Sequence, residues 1–186
     1  MMYKNFRIVI FIAAICAFGG STAVYSQANA SDETAKKETS AALDKKELRL
    51  KACGTEKVDY SAKTDKTQHP TPDAPSDKAL IYVMRTTMIG YKIDSKVAVN
   101  GKWMGVNRGK TCFYFTVEPG ERYFCSESEN QDYLALTVEA GQTYYLQQQV
   151  EMGIWKARTN LVVMDKEKGR KKLEDVNLSV FELKAK

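Results

Sequence analysis

The reactive side chains of this sequence are few, and their spacing limits the chemistry they can do. His69 is the single histidine of the 186-residue chain. It stands in "QHPTPDAPSD" (68–77), so a histidine-dependent acid–base pair and a multi-histidine zinc site are both excluded by inventory. No G-x-S-x-G, phosphate-cradling glycine loop or dinucleotide fingerprint occurs. Ordinary hydrolase, kinase and dehydrogenase chemistries therefore lack their usual parts. A thiol enzyme needs a cysteine activated by a base or a helix N-terminus. Cys112 and Cys125 fall instead in runs of β-type residues with no histidine near in sequence, which assigns them a structural role. "ESENQD" (127–132) offers Glu127, Glu129, Gln131 and Asp132 as oxygen ligands, but it lacks the glycine and the ordered acidic spacing of a calcium loop. A solvated hairpin end accounts for it. The expectation is a protein with no catalytic residue, no metal and no cofactor.

The N-terminus sets the compartment. Lys4 and Arg7 precede an unbroken apolar run, "IVIFIAAICAF" (8–18), and small residues follow at Ser26 and Ala28. That is the layout of a secretory signal peptide over 1–28, with cleavage after Ala28 and with Ala23 and Ala30 as alternatives. The run falls short of the roughly 20 residues that span a bilayer. Cys16 follows Ile15, where a lipid-attachment site needs a small residue, so it reads as apolar filler. No second run of comparable length exists, so no transmembrane segment is expected once the signal is removed. Removing Lys4 and Arg7 leaves 26 basic against 23 acidic groups, a charge of +3 that is too mild to point to nucleic acid. Export places the chain where disulfides persist, and Cys53, Cys112 and Cys125 then predict one bridge and one free thiol.

"FTVEPGERYF" (115–124) bears on which pair forms. Pro119-Gly120 suits a type II turn, because proline fixes φ and glycine accepts positive φ. A hairpin centred there sets Phe115 opposite Phe124, Tyr114 opposite Cys125, and Cys112 facing Glu127. Cys112 and Cys125 are then diagonal neighbours about 7–8 Å apart, beyond comfortable disulfide reach. Cys53 is the better partner for Cys125, and the bridge would staple an N-terminal segment to the sheet. Three unpaired buried cysteines stay open as the alternative.

The elements that hold these residues follow from periodicity. Residues 29–77 read as a polar arm, with a short helix over "SAALDKKELRL" (40–50) and an extended proline-rich linker over 54–77. From Lys78 the pattern becomes short β-type runs: "ALIYVMR" (79–85), a hairpin about Asn100-Gly101 (95–106), and the Pro119-Gly120 pair. "YLALTV" (133–138) with "QTYYLQQQV" (142–150) reads as a further pair, followed by "IWKARTNLVVM" (154–164) and "LSVFEL" (178–183). Asp165 caps a helix over 166–174, weakened at Gly169 by roughly 1 kcal/mol relative to alanine. The fold expected over 78–183 is mainly β, an antiparallel β-sandwich of about seven or eight strands with a short C-terminal helix.

Within it, pairing about Asn100-Gly101 sets Val97 and Val99 with Met104 and Lys102, leaving Trp103 with Ala98 on the other face. Trp103 is then either an outward anchor for a partner or is covered by the arm. The candidate partner surface is Trp103 together with Tyr114 and Tyr123 on the polar face of the next hairpin. "KEKGRKK" (166–172) reads as a solvated helix face, and Asn177-Leu178-Ser179 is a weak match to a glycosylation sequon.

From Lys78 onward the chain resembles a bacterial exported family, domain-of-unknown-function family 2846. The likeness rests on "KALIYVMR" (78–85), "VAVNGKWMGVNRGKTCFYFTVEPGERYFCSE" (97–127) and "VEAGQTYYLQQQV" (138–150), with "ACGTEKVDYSAKTDKTQHPTP" (52–72) as a lead-in. The resemblance implies a small β-sandwich of the cell envelope or periplasm, and a Cys53–Cys125 pairing in members that carry the lead-in. Cys112 has no counterpart in it. It implies no activity, so no active-site residue is carried over. The function expected is that of an exported, non-catalytic binding or accessory module, periplasmic or extracellular, whose partner is an unknown protein or envelope component. A scaffold or oligomer subunit, linked through the arm or a free thiol, is the second reading. An enzyme built on loop carboxylates and tyrosines is the third.

Overall fold

The computed structural model describes residues 44–69, 71–152 and 157–185. The segment read as a signal peptide, with Cys16, the arm up to residue 43, and Ile154-Trp155 lie outside the described residues. Helix α1 covers residues 44–53. It is followed by β1 (Val58–Asp65), β2 (Ala79–Arg85), β3 (Ser95–Val99), β4 (Lys102–Asn107), β5 (Thr111–Val117) and β6 (Gly120–Glu127). Then come β7 (Gln131–Val138), β8 (Thr143–Met152), β9 (Ala157–Met164), α2 (Lys166–Leu173) and β10 (Asn177–Ala185). They form a six-stranded sheet in the order β1-β10-β5-β2-β8-β9 and a four-stranded sheet in the order β4-β3-β6-β7.

The unbroken apolar run of β2 follows from its place. It lies inside the larger sheet, antiparallel to β5 and parallel to β8, and all seven of its residues are buried. Ala79, Ile81 and Val83 face the space between the sheets, where they join Val97, Val99, Phe113, Phe124, Leu146 and Leu161. Leu80, Tyr82 and Met84 face the other way, into a second cluster with Cys112, Tyr145, Met164, Leu173 and Val176 beneath α2. A strand covered on both faces loses the alternation of a half-exposed one.

The expected mainly β sandwich with a short C-terminal helix is present. The described residues hold ten strands, and two pairings, β2–β8 and β10–β5, are parallel. The extra strands come partly from the segment read as linker. Val58–Asp65 is an edge strand paired along its length with β10, from Val58↔Ala185 to Asp65↔Leu178. Its composition hid it, because Ala62 is the only buried residue among its eight.

Two expected hairpins are instead crossings between sheets. β5 belongs to the six-stranded sheet and β6 to the four-stranded one, so Pro119-Gly120 carries the chain around a corner. The segment from β7 to β8 does the same. The reason is competition for edges: β5 is already bonded by β2 over Ala79↔Val117 to Arg85↔Thr111, and β6 by β3 and β7. Phe113 and Phe124 reach the same core either way, so the local pattern does not distinguish a hairpin from a corner.

The Asn100-Gly101 hairpin forms as expected, with positive φ at both turn residues, 49° and 80°, as a type I′ turn requires. A bulge between Val97 and Ala98 pairs Val97 with Gly105 rather than Met104. Gly105 is demanded by packing, since a Cβ there would lie 2.5 Å from the Phe113 ring.

Asp165 caps α2, its Oδ1 accepting from the N–H groups of Glu167 (3.0 Å) and Lys168 (3.2 Å). Gly169 has a reason that propensity alone does not supply. A Cβ there would sit 2.3–2.6 Å from Tyr145, so the helix lies directly on that ring. Gly169→Ala should therefore destabilise the protein by about 1–2 kcal/mol, because overpacking outweighs the helix-propensity gain of roughly 1 kcal/mol. Urea denaturation checks this, and a more stable variant would show that α2 does not depend on this close approach.

Candidate interaction surface

The three side chains singled out for a partner surface do not lie together. Trp103 and Ala98 do share the outer face of the four-stranded sheet, but Trp103 is only 7% exposed. It packs with Ala52, Cys53, Ala98 and Cys125, with Val58, Tyr123 and Tyr133 around them. Its Nε1 donates to the Glu56 carbonyl at 2.9 Å, and Lys96 Nζ stands 4.4 Å from its ring centre. The arm thus covers Trp103, the second of the two readings open to it. Tyr123 lies on that same outer face, with Lys51 Nζ 5.6 Å from its ring centre. Tyr114 lies on the far side of the molecule, beside Tyr82 at 5.5 Å. A common face for Tyr114 and Tyr123 rested on a β5–β6 hairpin, and the sheet crossing separates them.

The cover over Trp103 is fastened at several points. Cys53, at the end of α1, is bonded to Cys125 on β6, with a Cα–Cα distance of 5.0 Å. The pairing is the one expected. The register used to reach it is not, since β5 and β6 never pair. Gly101 N–H donates to the Ala52 carbonyl at 3.1 Å. Gly54 comes so close to Gly101 that a Cβ on it would meet the Gly101 oxygen at 2.5 Å. Arg49 Nε donates to Gln131 Oε1 at 2.6 Å.

The "ESENQD" carboxylates are spent on structure. Glu127 pairs with Lys96 at 2.6 Å. Asn130 Oδ1 and Asp132 Oδ2 accept from the backbone N–H groups of Thr159 (2.6 Å) and Leu161 (2.7 Å), sealing the outer edge of β9 against β7. An open edge of that kind invites pairing with other chains. Among the described residues no three His, Cys, Asp or Glu side chains are grouped to hold a metal.

Cys112 and His69 are brought closer than the sequence suggests. Both line a cavity of about 140 Å³ with Arg170, Leu173 and Val176, between α2 and the segment after β1. Among the described residues no hydrogen bond joins them. Burial pushes the Cys112 thiol up to about 11, the opposite of what a nucleophile needs.

A different surface does stand out, at the end of the sandwich where residues 86–94 pass from β2 to β3. Arg85, the last residue of β2, is fully buried. Its Nη2 donates to the carbonyls of Ile89 (2.5 Å) and Gly90 (2.6 Å), and its Nη1 to that of Ile93. Burial pulls its pKa below the ordinary guanidinium range, and the charge of Asp94 opposes this. Above it Met88, Ile89 and Tyr91 are each more than half exposed, as is Met152 at the end of β8. A Cβ on Gly90 would lie 3.4 Å from Met152 Sδ, so β8 and the loop form one tip. Beneath runs a hydrogen-bonded chain linking both sheets: Thr111 to Asn107 (3.1 Å), Asn107 to Gln148 (2.9 Å), Gln148 to Ser126 (2.9 Å) and Ser126 to Thr159 (2.7 Å). The sequence signal was there: an arginine ending an apolar strand, followed by "MIGY" in a turn position.

The class defined so far is a two-sheet β-sandwich with a helix on each outer face and a disulfide holding its N-terminal arm. Residues 75–160 match the family described as protein of unknown function (DUF2846). A protein of Haemophilus influenzae, described as an uncharacterized protein, is 27% identical over 135 residues, 72% of this chain and 79% of its own. No solved structure matches the chain significantly. The family match ends before α2 and β10 and begins after Cys53. The disulfide therefore ties a residue outside the match to one inside it. Among the described residues no helix is long and apolar enough to cross a membrane.

Proposed function

We propose that the protein is an exported, non-catalytic binding or accessory module of the cell envelope. The observation that carries this is the Cys53–Cys125 bond, which joins the arm to the sheet across 72 residues and covers Trp103. A structural bridge of that span belongs to an oxidising compartment, and the leader over 1–28 is the sequence route there. Cys112 speaks against two alternatives. Its raised pKa is unsuited to nucleophilic catalysis, and its burial would oblige the cluster under α2 to open before it joined another chain.

The test is thiol counting in fractionated cells that express the full chain. The expected result is recovery in the periplasmic or envelope fraction with no thiol reactive in the native protein. Denaturation should expose one, Cys112, and reduction after denaturation should expose three. Recovery in the cytoplasm with four thiols, Cys16 included, titrated in denaturant before reduction would overturn the reading.

A further inference from the structure

We propose that the tip formed by residues 86–94 and the end of β8 is a lipid-contact surface. Met88, Ile89, Tyr91 and Met152 enter the interface of an anionic bilayer, and Lys92 and Lys110 meet its headgroups. These four apolar side chains are 52%, 53%, 53% and 60% exposed, the highest values among the large hydrophobic residues described, and all four sit at one end of the sandwich.

The buried arginine gives this tip its meaning. A loop that reaches past the headgroups to the acyl-chain boundary must satisfy its backbone polar groups internally, because water is scarce there. Arg85 does this for three carbonyls, those of Ile89, Gly90 and Ile93, and the Ile93 N–H donates to the Gly90 carbonyl at 2.8 Å. The polar backbone is turned inward onto a guanidinium while the apolar side chains are turned out.

Charge points the same way. Lys92 and Lys110 are exposed and form no ion pair among the described residues. Lys110 is held beside the loop by its N–H bond to the Thr87 carbonyl at 3.1 Å. Of the nearby acids, Asp94 is bonded to Arg108 at 2.5 Å and 3.0 Å, and exposed Glu151 stands opposite Arg158 in the β8–β9 register. Lys92, its Nζ 5.7 Å from the Tyr91 ring centre, and Lys110 thus place two cations beside an apolar tip, which complements an anionic surface. A protein partner fits less well. Four half-exposed side chains fall well short of the roughly 800 Å² that each side of a standard interface buries, whereas a bilayer rewards each inserted side chain separately. The inference requires only that the tip meet a bilayer, so it stands or falls apart from the export reading.

Flotation of the oxidised chain lacking residues 1–28 tests it, with vesicles of phosphatidylglycerol and phosphatidylethanolamine set against vesicles of phosphatidylcholine alone. The unsubstituted protein should float with the anionic vesicles, less so as salt rises. Met88→Asp with Ile89→Asp should lower the partition coefficient about a hundredfold, and Lys92→Glu with Lys110→Glu at least about tenfold. All four side chains are on the surface, so circular dichroism should show an unchanged fold in both variants. Two results would overturn the proposal: no flotation of the folded protein with either vesicle, or equal flotation of the protein and its Met88→Asp/Ile89→Asp variant. Loss of a protein complex on that same substitution, without any vesicle binding, would assign the tip to a protein instead and equally overturn it.

Discussion

Replacing Cys53 and Cys125 together by alanine should lower the free energy of unfolding by about 4 kcal/mol, the chain-entropy value for a bridge closing a loop of this length. The spacing of 72 residues makes this one of the two largest single effects expected in the molecule. At about 2–4 °C per kcal/mol for a chain of this size, the thermal midpoint should fall by roughly 10 °C. A local effect should accompany the global one. The ten described residues of helix α1 are too few to persist unaided. Its grip on the sheet without the bond rests on Ala52, the Gly54–Gly101 approach, Lys51 over the Tyr123 ring, and the hydrogen bonds of Arg49 and Trp103. Trp103 emission should therefore shift to the red in the double variant under conditions where the sheets remain folded, and a Trp103→Phe control identifies the signal. An unchanged denaturation midpoint with unchanged emission would show that the arm is held by packing alone and that the bond adds nothing.

How much of this was legible in the sequence depended on how local the cause was. The Asn100-Gly101 turn and the Asp165 cap are decided by residues within four positions of one another, and both stand as read. Pro119-Gly120 was read correctly as a bend and wrongly as a hairpin. The bend is local, but the partners of β5 and β6 are chosen by β2, β10, β3 and β7, which lie far away in sequence. The Cys53–Cys125 pairing was reached although the register behind it does not exist. The outcome survived because Cys112 faces the cluster under α2 while Cys125 faces outward from the other sheet. Strand β1 was invisible because an edge strand with one buried residue lacks the alternation that marks strands. Two outcomes concern the partner surface. Trp103 was assigned to its correct face, and whether the arm covered it could not be decided from pattern. The tip at 86–94 was passed over, because its organiser, Arg85, reads as the polar end of a strand until its three carbonyl partners are seen.

Arg85→Met should cost about 3–5 kcal/mol, nearly as much as the disulfide or more, and it should do so through the loop. The substitution keeps most of the side-chain length and puts an apolar group in the buried site, so the transfer of side chain to the interior is not what is lost. What is lost is the donor set for three carbonyls, and an unsatisfied buried polar group costs about 1–3 kcal/mol. The loop recovers part of this by turning its carbonyls to water, which sets the upper limit and predicts where the change appears. Amide exchange over residues 86–94 should accelerate, while that of β2, β5 and β8 should follow only the global loss of stability. Arg85→Lys should fall between the two, because an ammonium carries the charge but not the planar fork that reaches Ile89, Gly90 and Ile93 together. The ordering Arg, Lys, Met separates the clamp from the charge. Were the cost one of burying a cation, removing that cation should stabilise the protein, and Arg85→Met would be the most stable of the three. Chemical denaturation of all three decides the matter. If the clamp is the correct account, the Met variant should also bind anionic vesicles more weakly with its apolar tip side chains intact, since the carbonyls it frees would then have to be buried in the interface unpaired.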